Sequence, residues 1–254
     1  MKRIFARATM AHQYQPAVSI IIATYNSAEL LPECFASIAS QTFRSIEIVI
    51  VDGGSTDDTE KLVRNFTSFP VIFHQEKDRG IYDALNRGTK LANGRWFYFM
   101  GSDDLLLPGF SQLAKQMRDP KTIYYGDSEP FHRLPGPVNF ILLIGKFSKY
   151  RLAKHCMNHQ VILYPAGIFK KYQYELKYKV SADYALNIRA WGDQDFRRKY
   201  VPLLIARYNV TGFSSVNSDS LFEKDKPDII KESMGLGMYL RYRFKMIKKK
   251  ILRN

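Results

Sequence analysis

The chain has 254 residues, of which 46% are hydrophobic, and it carries a formal net charge of +14. This length suits one large α/β domain, either alone or with an appendage. The two cysteines lie far apart in sequence and form no ligand cluster, which predicts a reducing compartment. No stretch approaches the roughly 20 apolar residues of a membrane-spanning helix, and the amino terminus lacks the apolar segment of a signal peptide. We therefore expect a cytoplasmic chain.

Apolar residues alternate between strand-like and helix-like patterns through the first half of the chain. In chain order, we predict strands at 18–23, 46–51, 71–74 and 96–100, separated by helices at 30–41, 55–66 and 81–91. Strands that alternate with helices indicate a parallel sheet with right-handed crossovers. The predicted fold class is therefore α/β, with a doubly wound, mostly parallel central sheet flanked by helices.

The second half of the chain is less regular. Strands are predicted at 123–127, 161–164 and 201–208, and a helix at 184–191. The segment 131–150 is rich in proline, glycine and large apolar residues, which is typical of a mobile connector. We expect this half to pack on the same sheet rather than to form a second domain.

Two acidic turns each follow a predicted strand directly. They are Asp52-Gly53-Gly54-Ser55 and Gly101-Ser102-Asp103-Asp104. In open α/β sheets, ligands bind at the carboxyl ends of the strands. Carboxylates at this edge suit a ligand that donates hydrogen bonds and a metal ion that prefers oxygen ligands. A nucleotide held with a divalent cation meets both demands.

The carboxyl-terminal segment 216–254 is predicted to be a helical, basic tail. No acid follows Glu232, whereas seven basic residues do: Arg241, Arg243, Lys245, Lys248, Lys249, Lys250 and Arg253. Apolar residues alternate with them, which is the composition of a helix that lies on an anionic membrane surface. A soluble basic tail and a nucleic-acid-binding segment are the alternatives. The membrane is favoured because the apolar residues would have no role against phosphates.

Several motifs in this order resemble those of family 2 glycosyltransferases with the GT-A fold. They lie at 18–26, 51–57, 78–88 and 101–104. Three more are similar to the branch that builds bacterial exopolysaccharide and O-antigen, including colanic-acid transferases; they are Asn158-His159-Gln160, Ser181-Ala182-Asp183-Tyr184-Ala185-Leu186 and Gly212-Phe213-Ser214-Ser215. The resemblance implies a GT-A domain over 17–215, with a nucleotide-binding half at about 17–127 and an acceptor-side half at about 128–215.

The resemblance also implies roles for individual residues on the donor side. The nucleotide would be bound by Thr24, Tyr25, Asn26, Asp52, Arg79 and Asp103. Asp103 and Asp104 resemble the family's metal motif, which implies Mn²⁺ or Mg²⁺ as cofactor. Many relatives carry an additional acid where this chain has Gly101, so which aspartate touches the metal stays open. Without the resemblance, Arg79 fits a solvated side chain as well as a phosphate contact.

On the acceptor side, Asp183 lies in a stretch that resembles the family's catalytic-base segment. Transfer with inversion needs a general base that takes the proton of the acceptor hydroxyl. A carboxylate at a helix start is also a common partner of the helix dipole, and spacing alone does not decide between these roles. Asp127 is a candidate acceptor contact at a strand end. His159 fits an acceptor contact, a pyrophosphate contact or a packed histidine.

The sequence therefore predicts an inverting, metal-dependent hexosyltransferase. The donor would be a UDP- or GDP-linked sugar, and the acceptor a lipid-linked saccharide of a bacterial surface polysaccharide such as exopolysaccharide or lipopolysaccharide. We expect a peripheral enzyme on the inner face of the cell membrane, with no nucleic acid as partner. The alternatives are a metal-dependent nucleotidyltransferase and a non-catalytic nucleic-acid-binding protein. The first usually has a basic glycine-rich loop near its amino terminus, and the second would not cluster acids at strand ends.

Overall fold

The computed structural model of the chain describes residues 3–7, 15–131, 144–210 and 218–251. The described strands are β1 (Arg3–Arg7), β2 (Val18–Thr24), β3 (Ile46–Asp52), β4 (Val71–Gln75), β5 (Trp96–Gly101), β6 (Leu105–Leu106), β7 (Thr122–Phe131), β8 (Ile162–Pro165) and β9 (Arg197–Asn209). The described helices are α1 (Leu31–Ala39), α2 (Thr59–Asn65), α3 (Ile81–Leu91), α4 (Pro108–Ala114), α5 (Lys149–Lys154), α6 (Ile168–Lys171), α7 (Ala182–Gly192), α8 (Ser220–Met234) and α9 (Leu236–Ile251). A 3-10 turn spans His159–Val161.

The strands form one sheet in the order β1-β4-β3-β2-β5-β8-β7-β9-β6. The block β4-β3-β2-β5 is parallel throughout, as the alternation of strands and helices predicts. Beyond β5 the sheet is mixed, because β8 runs antiparallel to both β5 and β7 while β7 and β9 are parallel. The α/β class with helices around a central sheet is confirmed, and the parallel pairing is concentrated in the amino-terminal half.

The strands of the parallel block form because their side chains are apolar on both faces. Every residue of β3 is buried, including Glu47, whose carboxylate accepts a 2.6 Å hydrogen bond from the Ser19 hydroxyl. A strand covered by helices on both faces needs such a continuous apolar run. In α1 the buried residues recur at helical spacing, namely Leu31, Cys34, Phe35 and Ile38, so one face packs into the core.

Some elements differ from the sequence-based prediction. The strand predicted at 201–208 begins at Arg197, because half of β9 faces solvent and so accommodates the charged residues at its start. Arg3–Arg7 forms an edge strand against β4, where no strand is predicted. Of the predicted connector 131–150, residues 132–143 lie outside the described part, and α5 starts at Lys149.

The predicted helical tail consists of α8 and α9, and α8 packs directly against α7. Phe222, Ile229 and Ile230 are buried in the same core as the sheet, and the Phe222 ring lies 5.1 Å from that of Tyr184. The tail is therefore continuous with the packed domain. None of the described helices is long and apolar enough to cross a bilayer.

Candidate functional site

The register of the parallel strands brings the two acidic turns to one edge of the sheet. Thr24 at the end of β2 pairs with Asp52 at the end of β3. On the other side of β2, Ala23 pairs with Gly101 at the end of β5. Both acidic turns therefore leave the sheet beside the end of β2. This is the edge at which an open α/β sheet binds its ligands.

Asp52 is fully buried, and its carboxylate organises the first turn. Its Oδ1 accepts hydrogen bonds from the backbone N–H groups of Gly54 (3.0 Å) and Ser55 (2.7 Å) and from Gln75 Nε2 (3.0 Å). Its Oδ2 accepts from the hydroxyls of Thr24 (2.8 Å) and Ser55 (2.5 Å). Both oxygens are thus occupied by the chain itself, so a ligand would reach this carboxylate only by replacing one of these donors.

The segment after β2 is locked onto that turn through Asn26. Its backbone has φ of 47°, the left-handed region that asparagine tolerates better than most residues. The Asn26 N–H donates to the Ser55 hydroxyl at 2.7 Å, and its side-chain oxygen accepts from the Thr56 N–H at 2.9 Å. Asn26 therefore joins the segments that follow β2 and β3.

Tyr25 and Asp78 both approach Gly53 closely at the end of β3. Tyr25 is 68% exposed, and a Cβ at position 53 would lie 3.4 Å from its ring and 2.8 Å from the Asp78 carboxylate. A side chain at position 53 would therefore press on the Asp78 carboxylate. The exposed Tyr25 ring and the nearby acceptor suit a planar heterocycle that stacks on the ring and donates an N–H. Asp78 lies in a motif of the sequence, but nothing in the sequence alone assigns it this place.

Arg79 follows Asp78 in the chain and pairs with Asp83. Its guanidinium is 3.4 Å from Asp83 Oδ1, while Arg87 makes the shorter contact, 2.9 Å, with Asp83 Oδ2. Arg79 is largely exposed, so its contact with Asp83 is weak and solvent-screened. The side chain can leave this contact to meet a phosphate, and the predicted nucleotide contact stays a prediction.

The second acidic turn is held from two sides. Asp104 Oδ2 accepts from the Gly101 N–H (2.7 Å) and from Gln160 Nε2 (2.9 Å), and its Oδ1 accepts from the Asn209 N–H (3.1 Å). The side-chain amide of Asn209 (Nδ2) also donates to Asp103 Oδ2 at 2.8 Å. Burial, and secondly the negative charge of Asp103, raise the pKa of Asp104. Positive charge near Asp104 would favour its ionised form.

The donor set of this turn fits a hard divalent cation. Asp103 is partly exposed, whereas Asp104 is buried, and both offer the carboxylate oxygens that Mn²⁺ and Mg²⁺ prefer. The glycine at 101 makes this arrangement possible, because a Cβ there would lie 2.5 Å from Asp103 Oδ1. In the described part of the chain, no three His, Cys, Asp or Glu side chains gather in a metal-binding group. A cation here would therefore need further ligands from diphosphate oxygens and water.

The structure brings Asp183, His159 and Tyr82 together. Asp183 lies in the first turn of α7, and its Oδ2 is 3.4 Å from His159 Nδ1. The Tyr82 hydroxyl donates to the Val180 carbonyl at 2.6 Å and lies 3.1 Å from Asp183 Oδ1. Burial, and then the charge of Asp183, raise the pKa of Tyr82 well above its ordinary value, so the phenol stays protonated. Asp183 remains 15% exposed and His159 20% exposed, so a substrate can reach both.

The segment that leads into Asp183 is also held by the carboxyl-terminal helices. Asp219 caps α8 by accepting from the Phe222 N–H at 3.1 Å. Its other oxygen accepts from the N–H groups of Val180 (3.1 Å) and Ser181 (3.4 Å). Burial opposes ionisation of Asp219, but these backbone hydrogen bonds outweigh it and lower its pKa. The segment before Asp183 is thus held twice, by Tyr82 at the Val180 carbonyl and by Asp219 at the N–H groups of Val180 and Ser181.

Asp127 does not present a free carboxylate. Its Oδ1 accepts from the Gly145 N–H at 2.8 Å, and its Oδ2 accepts from the Tyr200 hydroxyl at 2.5 Å. The residue is buried, so this carboxylate connects β7 to β9 and to the segment before α5. The expected contact of Asp127 with the acceptor has no support in this geometry, because both oxygens already serve the fold.

Several residues complete the site without having been predicted from the sequence: Asp78, Tyr82, Gln160, Asn209 and Asp219. Each lies against a residue or motif that the sequence singles out. Asp78 and Tyr82 share the motif at 78–88, and Gln160 likewise was visible only as a member of a motif. The predicted motif at 212–215 lies outside the described residues.

The chain is similar to known proteins in both sequence and fold. The model of the family described as glycosyl transferase family 2 matches residues 19–159, more than half of the chain. A "PGL/p-HBAD biosynthesis glycosyltransferase" of Mycobacterium bovis (strain BCG / Pasteur 1173P2) is 38% identical over 223 residues, which cover 84% of this chain and 84% of the relative. A protein of the same description from Mycobacterium tuberculosis (strain ATCC 25177 / H37Ra) matches with the same values.

Two solved structures share the fold. S. aureus TarS 1–349 in complex with UDP-GlcNAc has a TM-score of 0.66 at 18% identity, covering 90% of this chain and 72% of that chain. The mannosyltransferase PcManGT from Pyrobaculum calidifontis, in complex with GDP-Man and Mn²⁺, has a TM-score of 0.59 at 16% identity, covering 92% and 65%. The chain spans 42% of a longer TarS chain. These likenesses confirm the GT-A fold that the sequence predicts.

Proposed function

Because the chain belongs to glycosyl transferase family 2, we propose that it transfers one sugar from a nucleotide-sugar donor to a hydroxyl of a saccharide acceptor, with inversion at the anomeric carbon. One observation carries this proposal. The consecutive residues His159 and Gln160 join the two carboxylate groups, since Gln160 bonds to Asp104 while His159 meets Asp183. An acidic turn suited to a diphosphate and its cation therefore adjoins a partly exposed carboxylate suited to a base.

For the donor, we place the base of the nucleotide on the exposed Tyr25 ring, near the Asp78 carboxylate. The turn organised by Asp52, and the strand end at Thr24 and Asn26, border this position. Arg79 is the neighbour of Asp78 in the chain and is largely exposed, so we assign it to a phosphate of the donor. We assign Asp103 to a ribose hydroxyl. A UDP- or GDP-linked sugar is supported by the donors named for the two solved structures, UDP-GlcNAc and GDP-Man.

For the cofactor, we place Mn²⁺ or Mg²⁺ at Asp103 and Asp104. When bound, the ion would neutralise charge on the leaving nucleoside diphosphate. The mannosyltransferase of similar fold is described with Mn²⁺, which supports this choice. The chain contributes by holding the two carboxylates in place through Gln160 and Asn209.

For the chemistry, Asp183 is the general base. It takes the proton of the acceptor hydroxyl while the new C–O bond forms and the bond from the anomeric carbon to the diphosphate oxygen breaks. The charge balances, because the proton moves to Asp183 and the negative charge leaves on the nucleoside diphosphate. A direct displacement of this kind inverts the anomeric configuration. His159 and Tyr82 hold the carboxylate in position for it.

For the acceptor, we propose a lipid-linked saccharide in the synthesis of a bacterial surface glycan, encountered at the inner face of the cell membrane. The mycobacterial relative is described by its part in PGL/p-HBAD biosynthesis, and the sequence resembles exopolysaccharide and O-antigen enzymes. Neither nucleotidyl transfer nor non-catalytic nucleic-acid binding has a specific observation in its favour.

The test is a screen of UDP- and GDP-linked sugars for release of nucleoside diphosphate in the presence of Mn²⁺ and a bacterial glycolipid extract. We expect one donor to support acceptor-dependent release, and the Asp183→Asn variant serves as the control that binds donor without transfer. Binding of these nucleotides with no release from any of the sugars would contradict a transferase function.

A further inference from the structure

The last helix has one face that nothing in the described structure covers. In α9, five large apolar side chains are between 53% and 71% exposed: Leu236, Leu240, Phe244, Ile247 and Ile251. At about 3.6 residues per turn, their positions fall within roughly 80° of the helix circumference. We call these five residues the α9 stripe. Apolar residues scattered singly over a surface are ordinary, but a continuous stripe along a helix indicates a binding face.

The opposite face of α9 packs on the body of the protein. Tyr242 is 4% exposed, and Met238 and Tyr239 are partly buried against the core. Tyr239 and Tyr242 carry the apolar composition that the sequence assigns to a membrane contact, but the structure uses them for packing. The stripe therefore consists of a different set of residues from those that face the core.

Basic side chains border the stripe on both sides. Arg243 lies on one border, and Lys248 and Arg241 lie on the other, at roughly 60° to 100° from its centre by helix geometry. The Arg241 guanidinium stacks 3.9 Å from the centre of the Tyr150 ring in α5, which fixes its direction. The sequence of α9 contains no acidic residue. An apolar stripe between two rows of cations matches a bilayer whose acyl chains lie beneath anionic head groups.

A second copy of the chain is a poor occupant of this face. Two α9 helices packed stripe to stripe would bring their basic rows together, in a protein that already carries a net charge of +14. Nucleic acid would neutralise the cations but leave five large apolar side chains against phosphates and water. An anionic lipid surface satisfies both parts of the face at once.

We propose that the α9 stripe inserts into the interface of an anionic membrane while Arg241, Arg243 and Lys248 contact its head groups. The benefit to the enzyme rests on the proposed transfer to a lipid-linked acceptor. The docking itself is independent of that function and is measured without donor or acceptor.

The fold connects this membrane face rigidly to the acceptor side. Helix α9 packs against α8 and α5. At the start of α8, Asp219 bonds to the backbone just before Asp183, and α5 ends five residues before His159. Docking of α9 therefore fixes the orientation of Asp183 and His159 relative to the bilayer, which a flexible tail could not do.

The experiment compares the full-length protein with the triple variant Leu240→Gln/Phe244→Gln/Ile247→Gln by sedimentation with vesicles of phosphatidylcholine containing phosphatidylglycerol. We expect at least a tenfold loss of binding in the triple variant. The double variant Arg243→Gln/Lys248→Gln should lose about fivefold per removed charge at low salt and should resemble wild type in high salt. The matched control Ile4→Gln/Leu204→Gln/Leu221→Gln changes three exposed apolar residues elsewhere and should bind like wild type.

Three outcomes would overturn the proposal. The first is equal vesicle binding by wild type and the stripe variant. The second is a dimer in light scattering that the stripe variant converts to a monomer, since this would assign the face to a second copy. The third is tight binding of a random DNA duplex with no binding to the vesicles. None of these outcomes bears on nucleotide-sugar turnover, so the proposed function stands or falls separately.

Discussion

At the scale of single residues, the chemistry depends on Asp183. Asp183→Asn keeps the size of the side chain but removes its capacity to take a proton. Transfer should fall by roughly 10²-fold or more, while donor affinity stays near that of wild type, because donor and base lie in separate parts of the site. Single-turnover transfer and donor titration by calorimetry measure the two quantities. Transfer by the variant near the wild-type rate would remove Asp183 from the role of base.

Tyr82 should act through Asp183 and not by itself. Tyr82→Phe removes the hydroxyl that bonds to Val180 and approaches Asp183, while the ring contact with Tyr174 (centroids 5.3 Å apart) remains. We expect kcat to fall roughly tenfold with little change in the KM for donor, since the base becomes less well positioned. Equal losses in kcat and in donor affinity would indicate a general defect in folding instead.

The acidic turn predicts a metal requirement. EDTA should abolish turnover and Mn²⁺ or Mg²⁺ should restore it, because the carboxylates of Asp103 and Asp104 supply the oxygen ligands of the cation. Asp103→Asn should weaken this restoration, and Asp58→Asn, which changes an exposed aspartate outside the site, should not. Full turnover in excess chelator would contradict the assignment of the turn.

The sequence predicts which residue types gather at the carboxyl ends of the parallel strands. It does not predict the direction of each side chain. Asp52 and Asp127 both follow apolar runs, and the structure turns both carboxylates inward to bond with the chain. Tyr82 and Asp183 are 101 residues apart in sequence, so only the fold brings them together. Short motifs contain no information about contacts over such distances.

At the scale of elements, Asp219 both caps α8 and holds the segment before Asp183. Asp219→Ala should destabilise the fold by about 1 kcal/mol or somewhat more, because it removes the helix cap and two further backbone hydrogen bonds. It should also slow transfer, since the segment before Asp183 loses one of its two attachments. Chemical denaturation and transfer assays measure these effects, with Asp228→Asn on the same helix as the control.

The same cap predicts a dependence of stability on pH. The folded-state pKa of Asp219 is lowered, so its stabilising effect is complete above the ordinary aspartate pKa and is lost as the pH falls through the lowered value. The stability difference between wild type and Asp219→Asn should therefore be largest near neutral pH and narrow below about pH 4. A difference that is constant from pH 7 to pH 3 would show that the charge of Asp219 is unimportant.

Elements with one solvent-facing side were the least predictable. The parallel strands are apolar on both faces, and the sequence predicts them to within two residues of their ends. In contrast, β1 is a five-residue edge strand with an arginine at each end, and the start of β9 is charged on its exposed side. Period-two patterns are weak in such short edge segments. Helices α5 and α6 have six and four residues, too few to show a helical period.

At the scale of the whole molecule, α9 is both a packing element and an exposed face, and these two properties can be separated. Deletion of residues 236–254 should lower the Tm by roughly 4–8 °C, since it removes the buried Tyr242 ring, worth about 2 kcal/mol. The triple stripe variant should keep its Tm within about 2 °C of wild type, because each of its three residues is more than half exposed. Calorimetry of both proteins tests the distinction; a similar loss in each would mean that the stripe is packed.

The glycine at position 101 has a consequence for how relatives of this chain should be aligned. A side chain there would occupy the volume that the Asp103 carboxylate fills, since its Cβ would lie 2.5 Å from Asp103 Oδ1. In a relative with an acid at that column, the aspartate that corresponds to Asp103 must point elsewhere. Residues that share a column of the alignment therefore need not occupy the same position in space at this turn. Equivalent oxygens in two members of the family can come from residues that no alignment places opposite each other.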